Sequence, residues 1–381
     1  MKTAILHACL FTPLAGGAWG LPLLIEDEPG TGKTSVVEQY ASQWGLPCRV
    51  LSPGTDGEGA FGVVPVPQTV GGQFVLTYPA PEWVGAFTNG GVVFCDEVTT
   101  APPILQASMM GLLTARRLGG YKFGPRVRIL GAQNPVALAA NGYDLAPPLA
   151  NRFGHLVWGA PSVEEHTAYM LRAGAEQPEP QDALVEEQRV LGRWPVAFAS
   201  AVGLETAFLA AQQDWKNRCP RPGDPAQGRA WPSDRSWENA TRALATADVH
   251  ELSPTDRDLL VAAFIGTAAA EAFITYLEDA ALPNVADVLD GKTAFTHDPQ
   301  RLDRSAVLVN SAVALLSNAA CVRRKERGEV MWGLLDGVGT GALDLIATAV
   351  RELMTLNLHT SRAAIRVMAK VEPVLRMGSA K

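Results

Sequence analysis

Residues 27–35 read DEPGTGKTS and lie between an apolar run, LPLLIE, and a helical pattern, SVVEQYASQW. A buried strand, a glycine-rich turn and a helix start together make a phosphate cradle, because the backbone N–H groups of the helix N-terminus converge on one point. Glu28, Pro29, Gly30, Thr31, Gly32, Lys33, Thr34 and Ser35 would line it. Gly30 and Gly32 let the backbone approach phosphate oxygens closely. Lys33 can reach terminal phosphates, and the Thr34 hydroxyl can hold Mg²⁺. One position departs from GxxxxGK[ST]: Asp27 stands where the first glycine belongs. Aspartate adopts left-handed backbone more readily than most residues, so the turn is expected to survive.

A second cluster follows about sixty residues later in GGVVFCDEVTT, residues 90–100. An apolar strand ending in two acids suits the other half of phosphoryl transfer. Asp96 would hold Mg²⁺ through water, and Glu97 would polarise the attacking water. A third element, VRILGAQNP, ends a strand in Asn134, placed to orient that water, with Gln133 as the weaker choice.

These groups need a scaffold that brings three strand ends together. LPLLIE, PCRVLS, GVVFCDE, VRILGAQNP and GHLVWG alternate with helical patterns, which implies a parallel sheet with helices on both faces. A Gly/Pro-rich insertion runs from Thr55 to Trp83, and its QFVLTY run predicts one arm of a hairpin. A second hairpin is expected at Gly119-Gly120. After Pro161 the strands stop. Ser162 with Glu165 marks a helix start, and Ser233 caps another. The segment Glu176 to Gln188 reads as a loop leading to a helix over VAFASAVGLETAFLAAQQ, and SPTDRDLLVAAFIGTAAAEAFITYLEDA as one or two helices. The expected domains are a nucleotide-binding αβα core at 1–160, a helical lid at 161–280 and a C-terminal helical extension at 281–381.

With DEPGTGKT, VVFCDEVTTAPPILQASMMGLL, RILGAQNP and LAPPLANRF on one chain, residues 15–160 resemble the MoxR-like branch of AAA+ P-loop ATPases. WPSDRSWENATRAL resembles the lid helix of the RavA subgroup. The resemblance implies ATP and Mg²⁺ as cofactors and a homo-oligomeric ring, a hexamer in this family. It implies remodelling or activation of a protein client, often one with a von Willebrand factor A domain. Arg152, in ANRF, would be an arginine finger reaching a neighbouring subunit's γ-phosphate. Arg235, in SDR, would be a second sensor reading the nucleotide in cis. The insertion at 55–83 and the hairpin near 116–128 match loops that decorate this branch. Two other readings remain: a nucleic-acid motor of a restriction or phage system, and a nucleotide-bound scaffold with little turnover.

Composition narrows the choice. The chain has 381 residues, 47% hydrophobic and 19% charged, which suits two or three packed domains. A net charge of −7 without a basic stripe argues against gripping nucleic acid. Arg323, Arg324, Lys325 and Arg327 read as a solvated helix face, and Arg116 and Arg117 as a solvated helix end. The five cysteines form no CxxC pair and the six histidines have no metal-ligand spacing, so a reducing cytoplasm is expected and neither a disulfide framework nor a zinc site. The apolar N-terminus runs straight into the phosphate loop and reads as core rather than leader. No stretch is expected to span a membrane. The best candidate, residues 259–277, carries Glu271 and reads as a buried helix.

Overall fold

Short aliphatic runs too brief for helices and bounded by Gly, Pro and acids form the expected strands. The computed structural model describes residues 2–135, 138, 142–173, 179–280, 283–299, 301–318, 321–338, 343–358 and 361–378. In chain order, the first part holds α1 (Lys2–Leu10), β1 (Leu23–Glu26), α2 (Lys33–Gln43), β2 (Cys48–Leu51), α3 (Pro53–Ala60), β3 (Val66–Val70) and β4 (Gln73–Thr77). Next come β5 (Gly91–Cys95), α4 (Pro103–Ala115), β6 (Arg117–Leu118), β7 (Tyr121–Lys122), β8 (Val127–Gln133), α5 (Pro147–Ala150) and β9 (Gly154–Val157). Helices follow: α6 (Val163–Ala173), α7 (Ala183–Ala211), α8 (Asp234–Val249), α9 (Pro254–Ile265), α10 (Thr267–Ala280), α11 (Val285–Leu289), α12 (Leu302–Ser317), α13 (Arg324–Val338), α14 (Leu343–Thr355) and α15 (Arg362–Gly378).

The five long-expected strands form one parallel sheet in the order β2-β5-β8-β1-β9. Cys95 lies opposite Gly131, and Gln133 opposite Glu26. The register therefore brings the carboxyl ends of β1, β5 and β8 to one edge, where parallel α/β sheets bind ligands. One sheet face, with Leu24, Val93, Cys95, Val127 and Ile129, packs on Leu105, Met109 and Leu112 of α4 and Leu149 of α5. Both hairpins form as antiparallel pairs, β3 with β4 and β6 with β7. Phe74 and Leu76 of the first stand exposed.

The chain divides into two compact units. One comprises 1–191, 217–243 and 250–267, and holds the sheet; the other comprises 192–216, 244–249 and 268–381, and is helical. In the second, Trp332, Leu316 and Val350 centre an apolar core. Its Arg327 is not the solvated group expected: it is buried, in a bidentate pair with Asp290 at 2.8 and 3.0 Å. In the first unit Arg116 is half-buried, donating to the carbonyls of Val127 and Trp19; desolvation lowers its pKa to about 10.

Local signals at helix starts hold. Ser162 and Glu165 form the reciprocal capping box at 2.9 and 3.2 Å, and Ser233 Oγ accepts the Ser236 N–H. The span 254–280 breaks into α9 and α10 at Gly266, whose φ is +80° and whose Cβ position would meet the Ala230 carbonyl at 2.9 Å. Helix α7 differs from expectation. It begins at Ala183, inside the segment read as a loop, and continues through Pro195. Among the described residues it is the one helix long and apolar enough to cross a membrane by length and composition. The folded chain already claims it: Glu186 and Glu187 in its first turns are buried ion-pair partners, and Gly203 meets Ser311 too closely to admit a Cβ.

Arg128, wholly buried on β8, depends on one of those partners. Its guanidinium pairs with Glu187 at 2.5 Å and donates to the Leu10 and Arg126 carbonyls. Removing one member of a buried pair strands the other charge and costs about 3–5 kcal/mol. Glu187→Ala is expected to lower Tm by roughly 10 °C in calorimetry; a shift under about 2 °C would contradict the pair's role.

Burial also holds the His7 and His155 imidazoles below their usual pKa. Each then binds its proton more readily when unfolded. The stability they contribute is full above the unfolded value, near pH ~6.5, and is lost as pH falls below it. Tm should drop between about pH 7.5 and about pH 5.5, most steeply below ~6.5; a flat profile would refute this.

Candidate functional site

Three strand ends and one helix start build the site. Helix α2 begins at Lys33, with Gly32 as N-cap in the left-handed region at φ 81°. Gly30 is left-handed too, at φ 82°, and an added Cβ at either position would meet open space. Asp27 is absent from the positive-φ residues, so the missing first glycine demands no left-handed backbone there. Its Oδ1 accepts the Glu28 N–H at 2.8 Å, and its Oδ2 is buried with no partner among the described residues.

Lys33 is 7% exposed, and its ammonium donates to the Asp27 carbonyl, the Glu28 carbonyl and Asn134 Oδ1, each at 2.9 Å. Burial lowers its pKa, while the carboxylates of Asp27, Asp96 and Glu97 oppose that fall. Thr31 Oγ1 donates to the Glu28 carbonyl at 3.0 Å and steadies the loop. Thr34 Oγ1 donates to Asp96 Oδ2 at 2.5 Å. A hydroxyl and a carboxylate in contact, beside a phosphate cradle, are the donor set that a hydrated Mg²⁺ uses. Asp96 Oδ1 accepts the Glu97 N–H at 2.9 Å, which fixes the carboxylate.

Glu97 sits in the left-handed region at φ 52°, unusual for glutamate and a mark of a constrained position. Its Oε2 accepts a hydrogen bond from Ser52 Oγ at 3.3 Å, and its carbonyl accepts from Thr100 Oγ1 at 2.8 Å. Ser52 follows β2, and its N–H donates to Asp56, which pairs with Arg49. Ser52 escapes sequence reading because a lone serine after a strand carries no spacing signal; only the adjacency of β2 and β5 brings it to Glu97.

The structure brings Lys33, Thr34, Asp96, Glu97 and Asn134 together at one sheet edge. Arg152 and Arg235 form a separate group. Asn151, buried, accepts from Ser233 Oγ at 3.0 Å and from Arg235 at 3.4 Å, and donates to the Trp231 carbonyl at 3.3 Å. Arg152 donates to the Pro148 carbonyl, and its Nε is buried without a partner among the described residues. Burial and the Arg235 charge both lower its pKa. Two neighbouring cations, one with a buried Nε that finds no partner among the described residues, suit an anion.

His7, Glu186 and His250 converge within 4.8 Å despite lacking ligand spacing in the sequence. Arg189 Nη2 lies 2.7 Å from Glu186 and 3.1 Å from His250, in the place an ion would need, and the Tyr40 hydroxyl bonds His7 at 2.5 Å. The cluster is a buried polar network tying α1, α2 and α7. All five cysteines are free thiols.

No family model matches the chain. A solved structure described as a "putative ATPase" from Cytophaga hutchinsonii is similar over 68% of this chain and 78% of its own, at 15% identity and a TM-score of 0.45. A likeness at that level carries no weight for function, which rests on the geometry.

The left-handed N-cap gives a direct check of the loop. With open space around the Cβ position, Gly32→Ala costs only torsional strain, about 1–2 kcal/mol. Tm should fall by roughly 2–8 °C; an unchanged or higher Tm would show the loop is not held in this conformation.

Proposed function

We propose that this chain hydrolyses Mg-ATP as a subunit of a ring-forming, MoxR-like AAA+ assembly, and that hydrolysis remodels or activates a partner protein. The observation that carries the reading is the meeting of Lys33, Thr34–Asp96, Glu97 and Asn134 at the carboxyl ends of β1, β5 and β8. Lys33 would leave the loop carbonyls for the terminal phosphates. Thr34 and Asp96 would hold a hydrated Mg²⁺, which neutralises phosphate charge when bound. Glu97 takes the proton of the attacking water as its oxygen bonds the γ-phosphorus and the bond to the ADP oxygen breaks. Asn134, anchored through Oδ1, orients that water. Ser52 holds Glu97 in reach.

The family resemblance assigns Arg235 to its own chain's nucleotide. Arg235 bonds the side chain of Asn151, the residue before Arg152, and lies near enough for its charge to lower the Arg152 pKa, which favours a different division, with Arg152 and Arg235 both acting on one neighbour's phosphate. A site completed only by assembly ties turnover to the ring, and an arginine supplied in trans is worth roughly 10³-fold or more. The hexameric count and a client with a von Willebrand factor A domain come from the resemblance alone. The scattered, odd-numbered cysteines of the sequence favour a reducing compartment such as the cytoplasm.

Specific ATPase activity should rise with protein concentration as mass photometry shows rings forming. Glu97→Gln should cut turnover at least about 100-fold with ATP binding retained. Arg152→Ala and Arg235→Ala should each be nearly inactive alone, and each should regain activity when mixed with Lys33→Ala chains, whose arginines are intact. Failure of Arg235→Ala to complement would return that residue to cis action. Assembled rings that bind ATP without turnover would favour a scaffold, and strong stimulation by DNA a nucleic-acid motor.

A further inference from the structure

The β3–β4 hairpin turns at Gly71-Gly72, with φ of 60° and 80°, the left-handed pair that a two-residue type I′ turn needs. The turn closes on Val70 and Gln73 as a hydrogen-bonded pair, and bonded and non-bonded pairs alternate from there. Val75 and Thr77 therefore aim their N–H and C=O groups at β3, while Phe74 and Leu76 aim theirs outward. On β3 the outward positions are Pro67 and Thr69. The two edges differ in consequence. Pro67 has no N–H to offer, and proline is a common guard against edge pairing. The β4 edge has no such guard, and among the described residues no third strand pairs with it.

This edge is also apolar. Phe74 is 82% exposed and Leu76 68%, and both share one face with Pro67 and Thr69. From Gly59 to Pro81 the sequence has no Asp, Glu, Lys, Arg or His. A two-stranded hairpin alone is marginal in water and gains stability by adding strands. An open, uncharged edge of this kind is a template for another strand.

The edge fits its own image. Set antiparallel to the same strand of a second copy, about a two-fold axis at Val75, Phe74 of each copy lies opposite Leu76 of the other. Both pairs then join outward-facing groups, so the open amides and carbonyls of Phe74 and Leu76 are satisfied on both strands. The two aromatic–aliphatic pairs fall on one face. A two-fold contact places a residue near its own image, where a charge would repel itself; the hairpin has no charge to repel. Pro67 guards both outer edges of the resulting sheet, so growth stops at two copies.

We propose that the β4 edge is a self-association surface that joins two copies of this chain through a continuous β3-β4-β4-β3 sheet. The contact is isologous, so it differs from the head-to-tail contact of a ring and needs neither ring nor nucleotide.

Disulfide trapping in the full chain tests this, without nucleotide and with Cys219→Ser to remove the exposed native thiol. Val75 would face its own image in a non-hydrogen-bonded pair, with Cα atoms about 4.5 Å apart, inside the roughly 4.4–6.8 Å that a disulfide spans. Val75→Cys should cross-link at least about tenfold faster than Val70→Cys, which is exposed on β3 and away from the axis. Adding Phe74→Glu or Leu76→Lys to the Val75→Cys chain should slow cross-linking about tenfold in each case. Mixing those two chains should recover it, because the glutamate of one copy then faces the lysine of the other. Both side chains are exposed, so neither change threatens the fold. Equal rates at positions 75 and 70 would overturn the proposal and leave the edge to an extended strand of a different protein. Charge variants that leave the rate unchanged, or a mixture that stays slow, would overturn it as well.

Discussion

A buried ammonium needs oxygen around it. Lys33 meets that need with two loop carbonyls and the Asn134 side chain. This arrangement ties the loop after β1 to Asn134, just past the end of β8, and sets the shape of the loop. It also makes the loop poised rather than rigid. The two loop carbonyls must be exchanged for phosphate oxygens when an anion enters, and burial with nearby carboxylates keeps the ammonium both costly to strand and well attracted.

Around that centre the structure uses hydrogen-bonded pairs to hold acids in place. Thr34 on Asp96, Ser52 on Glu97 and the Glu97 N–H on Asp96 make a continuous chain from α2 across β5 to β2. Carboxylates placed this way are oriented before a ligand arrives, which is where electrostatic catalysis gains most of its effect. The cationic half is organised apart from this chain. Arg235 bonds the side chain of Asn151, the residue before Arg152, and burial with the Arg235 charge lowers the Arg152 pKa.

Most of the acid half was legible in the sequence because its signals are local. GTGKT at a strand–helix junction, two acids ending an apolar strand and an Asn-Pro after another each report their own surroundings. The helix caps at Ser162 and Ser233 were legible for the same reason. Helix α7 was not. Polarity at Glu186 and Glu187 mimics a loop, and only the partners His7, Arg189 and Arg128 convert those acids into anchors of a helix start. Arg116 and Arg327 misled in the same way, since a charge reads as solvated until a carbonyl or carboxylate is found to cover it.

By itself the sequence determined the order and kind of most elements, the glycine-rich loop between strand and helix, and the identities of the groups that could transfer phosphate. These follow from spacing along the chain, where steric and propensity effects act over a few residues. Tertiary structure decided everything that joins distant segments: Ser52 on Glu97, Arg235 on Asn151, and His7 on Glu186 with His250 beside Arg189. Such pairings depend on strand order and on burial, and neither is written in any short stretch of residues.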